Sequence, residues 1–279
     1  MSVFLGIVAA FAWGIHDLFV KVLTKKFPAI CGLFYVLGLS CGFLFLVLVW
    51  SGERIYFPRT DIIRIIFTGF AFALASLTLY KAFEIGPIKL VSPIIAGYPI
   101  VSVSAASFLG SDVKFEQWLA IFIVFFGICF IILWSDGHNK KLENNISLIW
   151  AFCSSISFAF CFSVGQSISF ENKVILSNFL TRFSAFIIIL IYVVITNSIK
   201  FPNKSIFSIL IFIAILDTIA FASVITSGSF ENAYFSQVGA STFGVITIIL
   251  AWFFLHEKIT SLQWMTFGFI FAALGYLSL

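Results

Sequence analysis

Charged residues are so unevenly placed in this chain that they cut its 279 residues into apolar blocks of about 20, and that spacing constrains the fold more than any motif. At 1.5 Å per residue, about 20 helical residues cross a hydrocarbon core of about 30 Å. Ten such blocks can be counted: Val3 to Leu23, Ile30 to Trp50, Ile62 to Phe83, Leu90 to Leu109, Phe115 to Trp134, Ile146 to Ile168, Val174 to Thr196, Ile206 to Ser227, Ala233 to Leu255, and Leu262 to Leu279. A soluble domain is excluded, because only 10% of the residues are charged where about a quarter is usual. The expectation is an all-α polytopic membrane protein of ten transmembrane helices. The first block begins at Val3 with no basic leader or small-residue cleavage site, which reads as a retained helix and not a targeting segment.

Several function classes drop out on spacing. The five cysteines (Cys31, Cys41, Cys129, Cys153, Cys161) fall inside apolar blocks without C-x-x-C spacing, so neither disulfides nor a metal site is expected. No P-loop or dinucleotide fingerprint is present, and no cofactor is expected. A net charge of +4, with no basic cluster interleaved with aromatics, gives no sign of nucleic acid. Gly38-Leu-Ser-Cys-Gly42 matches the serine-hydrolase elbow, but that motif works at a strand-to-helix turn and here lies inside an apolar run, with only His16 deep enough to serve Ser40. An enzyme is therefore not expected, and a membrane-embedded hydrolase is the remote alternative.

The longest polar connection, Ser135 to Asn145, divides the chain into residues 1–137 and 138–279. Placing Gln117-Trp118 on Gln263-Trp264 sets an offset of 146, which also pairs Ala105 with Ala251, Phe108-Leu109 with Phe254-Leu255, and Phe125 with Phe271. Five helices per half is an odd number, so the second half enters the bilayer from the opposite side. Such an inverted repeat carries its site near mid-membrane, where the halves meet.

The second half runs from small residues at Gly239 and Ser241 through Leu-Ala-Trp-Phe-Phe-Leu-His-Glu-Lys-Ile-Thr260 to Gln263-Trp264 and a closing Gly/Ala-rich helix. That order resembles the EamA-type repeat of the drug/metabolite transporter superfamily. Glu257 and Gln263 have the spacing of the repeat, whereas the first half has Ser111-Asp112 where the glutamate would stand. The resemblance implies ten helices, a central cavity lined by the first four helices of each half, and export or exchange of small metabolites. Loop charge disagrees with it on orientation. The odd-numbered loops carry ten Lys/Arg against six on the other side, which puts both termini outside, while the resemblance implies cytoplasmic termini. The resemblance is followed, because Lys21, Lys81 and Lys89 are among the ten and stand at helix ends.

Charges within spans carry the functional signal, since each costs roughly 2.5 to 3.5 kcal/mol on insertion scales unless it pairs or faces water. Counted from the side of the N-terminus, His16 and Asp17 lie about 20 Å deep, Arg182 about 12 Å and Asp217 about 16 Å. Asp217 reads either as a carboxylate for a cationic group or coupling proton, or as the partner of Arg182 in a structural ion pair. His16 and Asp17 are expected to share the work unequally, because adjacent helical positions point about 100° apart. With histidine neutral the band is net minus one, which favours a zwitterion, a cation or proton coupling.

Trp13, Tyr98 and Trp252 are candidates to line the cavity, with Ser102, Gln237, Ser241 and Thr242 as further substrate contacts. Pro93, Gly97 and Pro99 should kink or interrupt the fourth helix and free carbonyls toward substrate. Tyr80, Lys81 and Glu84 are expected near the surface as anchors or a gate. Trp50, Trp118, Trp134 and Trp264 read as interfacial belt residues, and most of the 38 phenylalanines as lipid-facing or packing groups. The expectation is a secondary transporter of a small organic metabolite, an amino acid or related zwitterion or cation, working by alternating access in a prokaryotic inner membrane. Its expected partners are the substrate, membrane lipids and coupling protons, with no nucleic acid, as a monomer or weak homodimer; a lipid-linked or nucleotide-sugar translocator is the runner-up.

Overall fold

A computed structural model describes residues 1–52, 61–108, 141–169, 174–230 and 234–276, together with scattered helical positions between 115 and 130. In chain order the helices are α1 (Ser2–Thr24), α2 (Ala29–Ser51), α3 (Ile62–Ile85), α4 (Ile88–Ala96), α5 (Tyr98–Phe108), α6 (Lys141–Ser169), α7 (Val174–Ile195), α8 (Lys204–Thr226), α9 (Tyr234–Ser241), α10 (Phe243–Phe254) and α11 (Ser261–Tyr276). Apolar runs fold this way because a helix satisfies its backbone N–H and C=O groups internally, the one requirement lipid cannot relax. Among the described residues, seven helices are long and apolar enough to cross a membrane, with shorter apolar helices at 88–102 and 261–273. No strand occurs among the described residues. Large apolar side chains such as Phe4, Phe70, Phe253 and Phe269 are more than half exposed on the outside of the bundle, a surface suited to acyl chains and not to water.

The helix ends follow from local chemistry. Asn203 caps α8 by accepting a hydrogen bond from the Ile206 amide at 2.9 Å. Gly52, at φ 68°, ends α2 in the left-handed conformation that a side chain would disfavour. The fifth expected span and the Ser111-Asp112 position lie largely outside the described residues, as does Trp134. The polar connection before α6 is shorter than expected, because Lys141 to Asn145 already belong to that helix. Outside hydrocarbon, Lys, Leu and Glu are good helix formers, so an apolar block underestimates its helix at the polar end.

Two expected spans are each divided by a single residue. Gly97 separates α4 from α5 with ψ of 1°, and Thr242 separates α9 from α10 with ψ of −6°. Pro93 and Pro99 accompany the first break, yet the second has no proline, so the interruption does not depend on one.

Packing between the halves is reciprocal. α1 lies on α8 as α3 lies on α6, α3 meets α7 as α2 meets α8, and α1 packs on α9 and α10 as α6 packs on α4 and α5. Each statement turns into its companion when the halves are exchanged. Small residues allow the closest approaches: a Cβ on Gly6 of α1 would sit 2.7 Å from the Ser236 carbonyl of α9, and one on Gly244 would sit 2.8 Å from the Ala96 Cβ.

Candidate functional site

The site grows from one face of α1. Trp13, Asp17 and Lys21 recur every four residues, and His16 stands three beyond Trp13, so all four share a broad inward stripe. His16 and Asp17 were expected to diverge. Instead both border the same cavity, because the stripe is wide enough to hold adjacent positions, and His16 Nδ1 lies 2.8 Å from Asp17 Oδ1. Lys21, a turn further on, is buried and donates to the carbonyls of Phe83 at 2.6 Å and Gly86 at 2.7 Å, capping the C-terminus of α3 with a positive charge.

The cavity is closed around these groups by Ser76, Leu79 and Tyr80 of α3, Leu33 of α2, Tyr98 of α5, Phe158 and Phe162 of α6, Asp217 of α8 and Phe243 of α10. Its volume of about 20 Å³ holds roughly one water molecule. Trp13 is in aromatic contact with Phe158, Phe162 and Phe243, at centroid distances of 6.4, 5.3 and 6.3 Å, so one wall is a continuous set of rings.

The polar wall contains two acids in different circumstances. Asp217 accepts from Arg182 Nη1 at 2.6 Å through Oδ2 and from Trp13 Nε1 at 3.2 Å through Oδ1. Arg182, fully buried, also donates from Nη2 to the Asp217 carbonyl at 3.0 Å, and its guanidinium lies between the rings of Phe72 and Phe221 at 4.0 and 4.2 Å. It pairs with Asp217 without itself bordering the cavity. Asp17 has only the His16 contact through Oδ1. Its Oδ2, and the hydroxyl of Tyr80, a residue of the same lining, are buried without a hydrogen-bond partner among the described residues. Leaving such an atom unsatisfied costs about 1–3 kcal/mol, more for a charged one, so these two atoms mark where a polar group of a ligand gains most.

Several expected positions are corrected. Tyr80 is not a surface anchor: it is 1% exposed and faces His16 edge-on at 6.3 Å, because it lies on the inner face of α3. Lys81 and Glu84 do stay near the rim, paired at 2.7 Å. Trp252 is half exposed on the outer face of α10 against Trp264 and does not line the cavity. Of the α4–α5 region only Tyr98 reaches the lining, and neither Pro93, Gly97 nor Pro99 does. Ser241 and Thr242 turn their hydroxyls back to the carbonyls of Val238 and Gly239, each at 2.7 Å, which spends them within their own helix. The Gly38–Gly42 motif lies inside α2, where Ser40 donates to the Ala214 carbonyl at 3.3 Å, and offers no strand-to-helix turn.

Gln237 belongs to a second polar cluster that the apolar-block reading missed. The Tyr98 hydroxyl donates to the Gln237 carbonyl at 2.5 Å, Ser102 lies 3.4 Å from its amide oxygen, and its amide nitrogen donates to Gln166 Oε1 at 2.6 Å. Gln166 in turn donates to Ser227 and Ser236 at 2.8 and 3.0 Å, and those two hydroxyls bond to each other. A glutamine inside the span Ile146 to Ile168 was the available signal, since a buried amide needs several partners.

The turn that carries the family resemblance has a structural task. Glu257 accepts the amide protons of Ile88 at 2.9 Å and Lys89 at 3.0 Å, so a carboxylate from the second half caps the N-terminus of α4 in the first. Lys89 Nζ returns the contact to the Lys258 carbonyl at 2.7 Å. Thr260 and Gln263 form a reciprocal capping box at the start of α11, with distances of 3.0 and 3.2 Å. Lys21, Lys81 and Lys89 are each held by a carbonyl or an acid, and on the other side so are Arg64 and Arg182, which leaves seven basic residues against four and the loop-charge bias in place.

Known proteins resemble the chain in both fold and sequence. A solved structure titled "Crystal structure of protein" superposes over 98% of this chain and 94% of that one, with a TM-score of 0.74 at 11% identity. A likeness at that identity speaks for the fold alone. No curated protein matches the chain. The sequence does match the model of a membrane transporter family over two stretches, one on either side of the polar connection. Matched over residues 1–133 and 145–279, the chain belongs to the EamA-like transporter family.

Proposed function

We propose that this membrane protein is a secondary transporter that exports or exchanges a small organic metabolite bearing a cationic group, an amino acid or related zwitterion or cation, at the cavity between α1, α3, α6 and α8. The observation that carries the reading is the pair of unpartnered polar atoms, Asp17 Oδ2 and Tyr80 Oη, on the wall of a buried cavity in a transporter family. A buried ionisable group in a membrane span is a functional site by default, and this one has an acceptor to spare.

Alternating access between two inverted halves supplies the motion. The reciprocal packing and the paired breaks at Gly97 and Thr242 support a two-fold relation between 1–137 and 138–279, with the fifth helix of each half completing ten. A cavity of about 20 Å³ is too small for an organic substrate, which supports reading this conformation as closed on both sides. The membrane is proposed to be a prokaryotic inner membrane. The test is uptake and exchange of labelled amines and amino acids by proteoliposomes containing the purified protein. Asp17→Asn should insert normally and lose flux; flux equal to that of the parent protein across the panel would overturn the reading.

A further inference from the structure

We infer that the substrate of the central cavity is a primary amine that carries no carboxylate, bound with its ammonium group between Asp17 Oδ2 and Tyr80 Oη and its apolar body against the ring wall of Trp13, Phe158, Phe162 and Phe243. The inference rests on the reading of that cavity as the substrate site and narrows it to one chemical class.

Three observations converge on the ammonium. The two residues border one space, each is 1% exposed, and Asp17 Oδ2 and Tyr80 Oη have no hydrogen-bond partner among the described residues, so neither is satisfied by bulk water. That space, about 20 Å³, takes a group the size of water, which is also the size of an ammonium head. A primary ammonium has three N–H donors, enough to satisfy a carboxylate oxygen and a phenolic oxygen together.

The case against a carboxylate comes from what the nearby cations are doing. Arg182 is fully buried between Phe72 and Phe221 and outside the lining; Nη1 and Nη2 are spent on Asp217, and only its Nε, which has no partner among the described residues, is left over. Lys21 is committed to the carbonyls that end α3. His16 presents Nδ1 to the Asp17 carboxylate, and with the ring neutral its other nitrogen is one more acceptor. With His16 neutral, no cationic side chain among the described residues borders the cavity, so a carboxylate placed there would have only neutral donors such as the Ser76 and Tyr80 hydroxyls and would lie beside like charge. The remaining lining is hydrocarbon and aromatic rings, which suit an alkyl or aryl body.

The experiment measures binding to the purified protein in detergent by calorimetric titration and thermal shift. The four probes share one body: phenethylamine, phenylalanine, 3-phenylpropionate and trimethylphenethylammonium. Phenethylamine should bind at least about tenfold more tightly than phenylalanine, and 3-phenylpropionate should not bind, since an unpaired buried charge costs that much or more. The trimethyl analogue, which has no N–H to donate, should lose about tenfold. Asp17→Asn should abolish the preference for the amine over the amino acid, and Tyr80→Phe should weaken the amine about threefold to tenfold, so the second variant carries the test if the first does not fold. Equal or tighter binding of phenylalanine, equal binding of the trimethyl analogue, or no binding of phenethylamine would each overturn the inference. A protein that binds the amine but moves nothing in proteoliposomes would instead remove the transport reading and leave this one standing.

Discussion

Asp217 and Asp17 border the same cavity from α8 and α1, yet the protein has finished one and left the other open. Asp217 has an indole N–H and a guanidinium that is itself held between two phenylalanine rings; Asp17 has one imidazole contact and, among the described residues, an idle oxygen. The difference separates two uses of a buried charge. A paired acid fixes how α7 and α8 sit together, whereas a half-satisfied acid keeps binding capacity in reserve.

That contrast breaks first at Arg182. Arg182→Leu leaves Asp217 buried without its partner and should destabilise the protein by about 3–5 kcal/mol, and adding Asp217→Leu should restore most of the loss. Denaturant or thermal unfolding in micelles reads both, and a single variant as stable as the parent would erase the distinction between the two acids. Next comes Glu257, a third carboxylate that is satisfied by backbone amides at the rim. Glu257→Ala should cost about 1 kcal/mol in the same measurement, an amount set by a cap and not by a buried charge. Asp17→Asn should change stability by less than about 1 kcal/mol, because only one contact is altered, while proteoliposome flux is lost. Should it unfold the protein as Arg182→Leu does, Asp17 is a structural group after all. The smallest effect is at Tyr80: Tyr80→Phe removes an unsatisfied buried hydroxyl and should leave stability unchanged or raised by up to about 1 kcal/mol, with the loss confined to ligand affinity.

Much of this architecture was legible in the chain because lipid imposes one rule per span, about 20 apolar residues, and the rule needs no knowledge of partners. The depths of His16, Asp17, Arg182 and Asp217 followed from the same rule. What each of them touches did not. Whether Asp217 or Asp17 keeps a free oxygen depends on which helix packs on which, and the apolar blocks carry no information on pairing. Tyr80 was misjudged for a related reason: three residues from the end of a block, it is near the surface by count but inward by helical face. Trp252 was misjudged the other way, since an aromatic residue serves equally well against lipid or against a cavity. Gln166 and Ser227 went unnoticed because a neutral amide or hydroxyl does not interrupt an apolar run. The break at Thr242 has no proline to announce it.

The cap that Glu257 places on α4 also says where this bundle can come apart. Separating that turn from α4 uncovers two amide N–H groups at a partly exposed position, where solvent can replace the carboxylate as it leaves. Separating Arg182 from Asp217 would strand two buried charges. The joint at Glu257 has a ready substitute and the joint at Arg182 has none. Parting the helices at that turn therefore costs less than parting them at the buried pair.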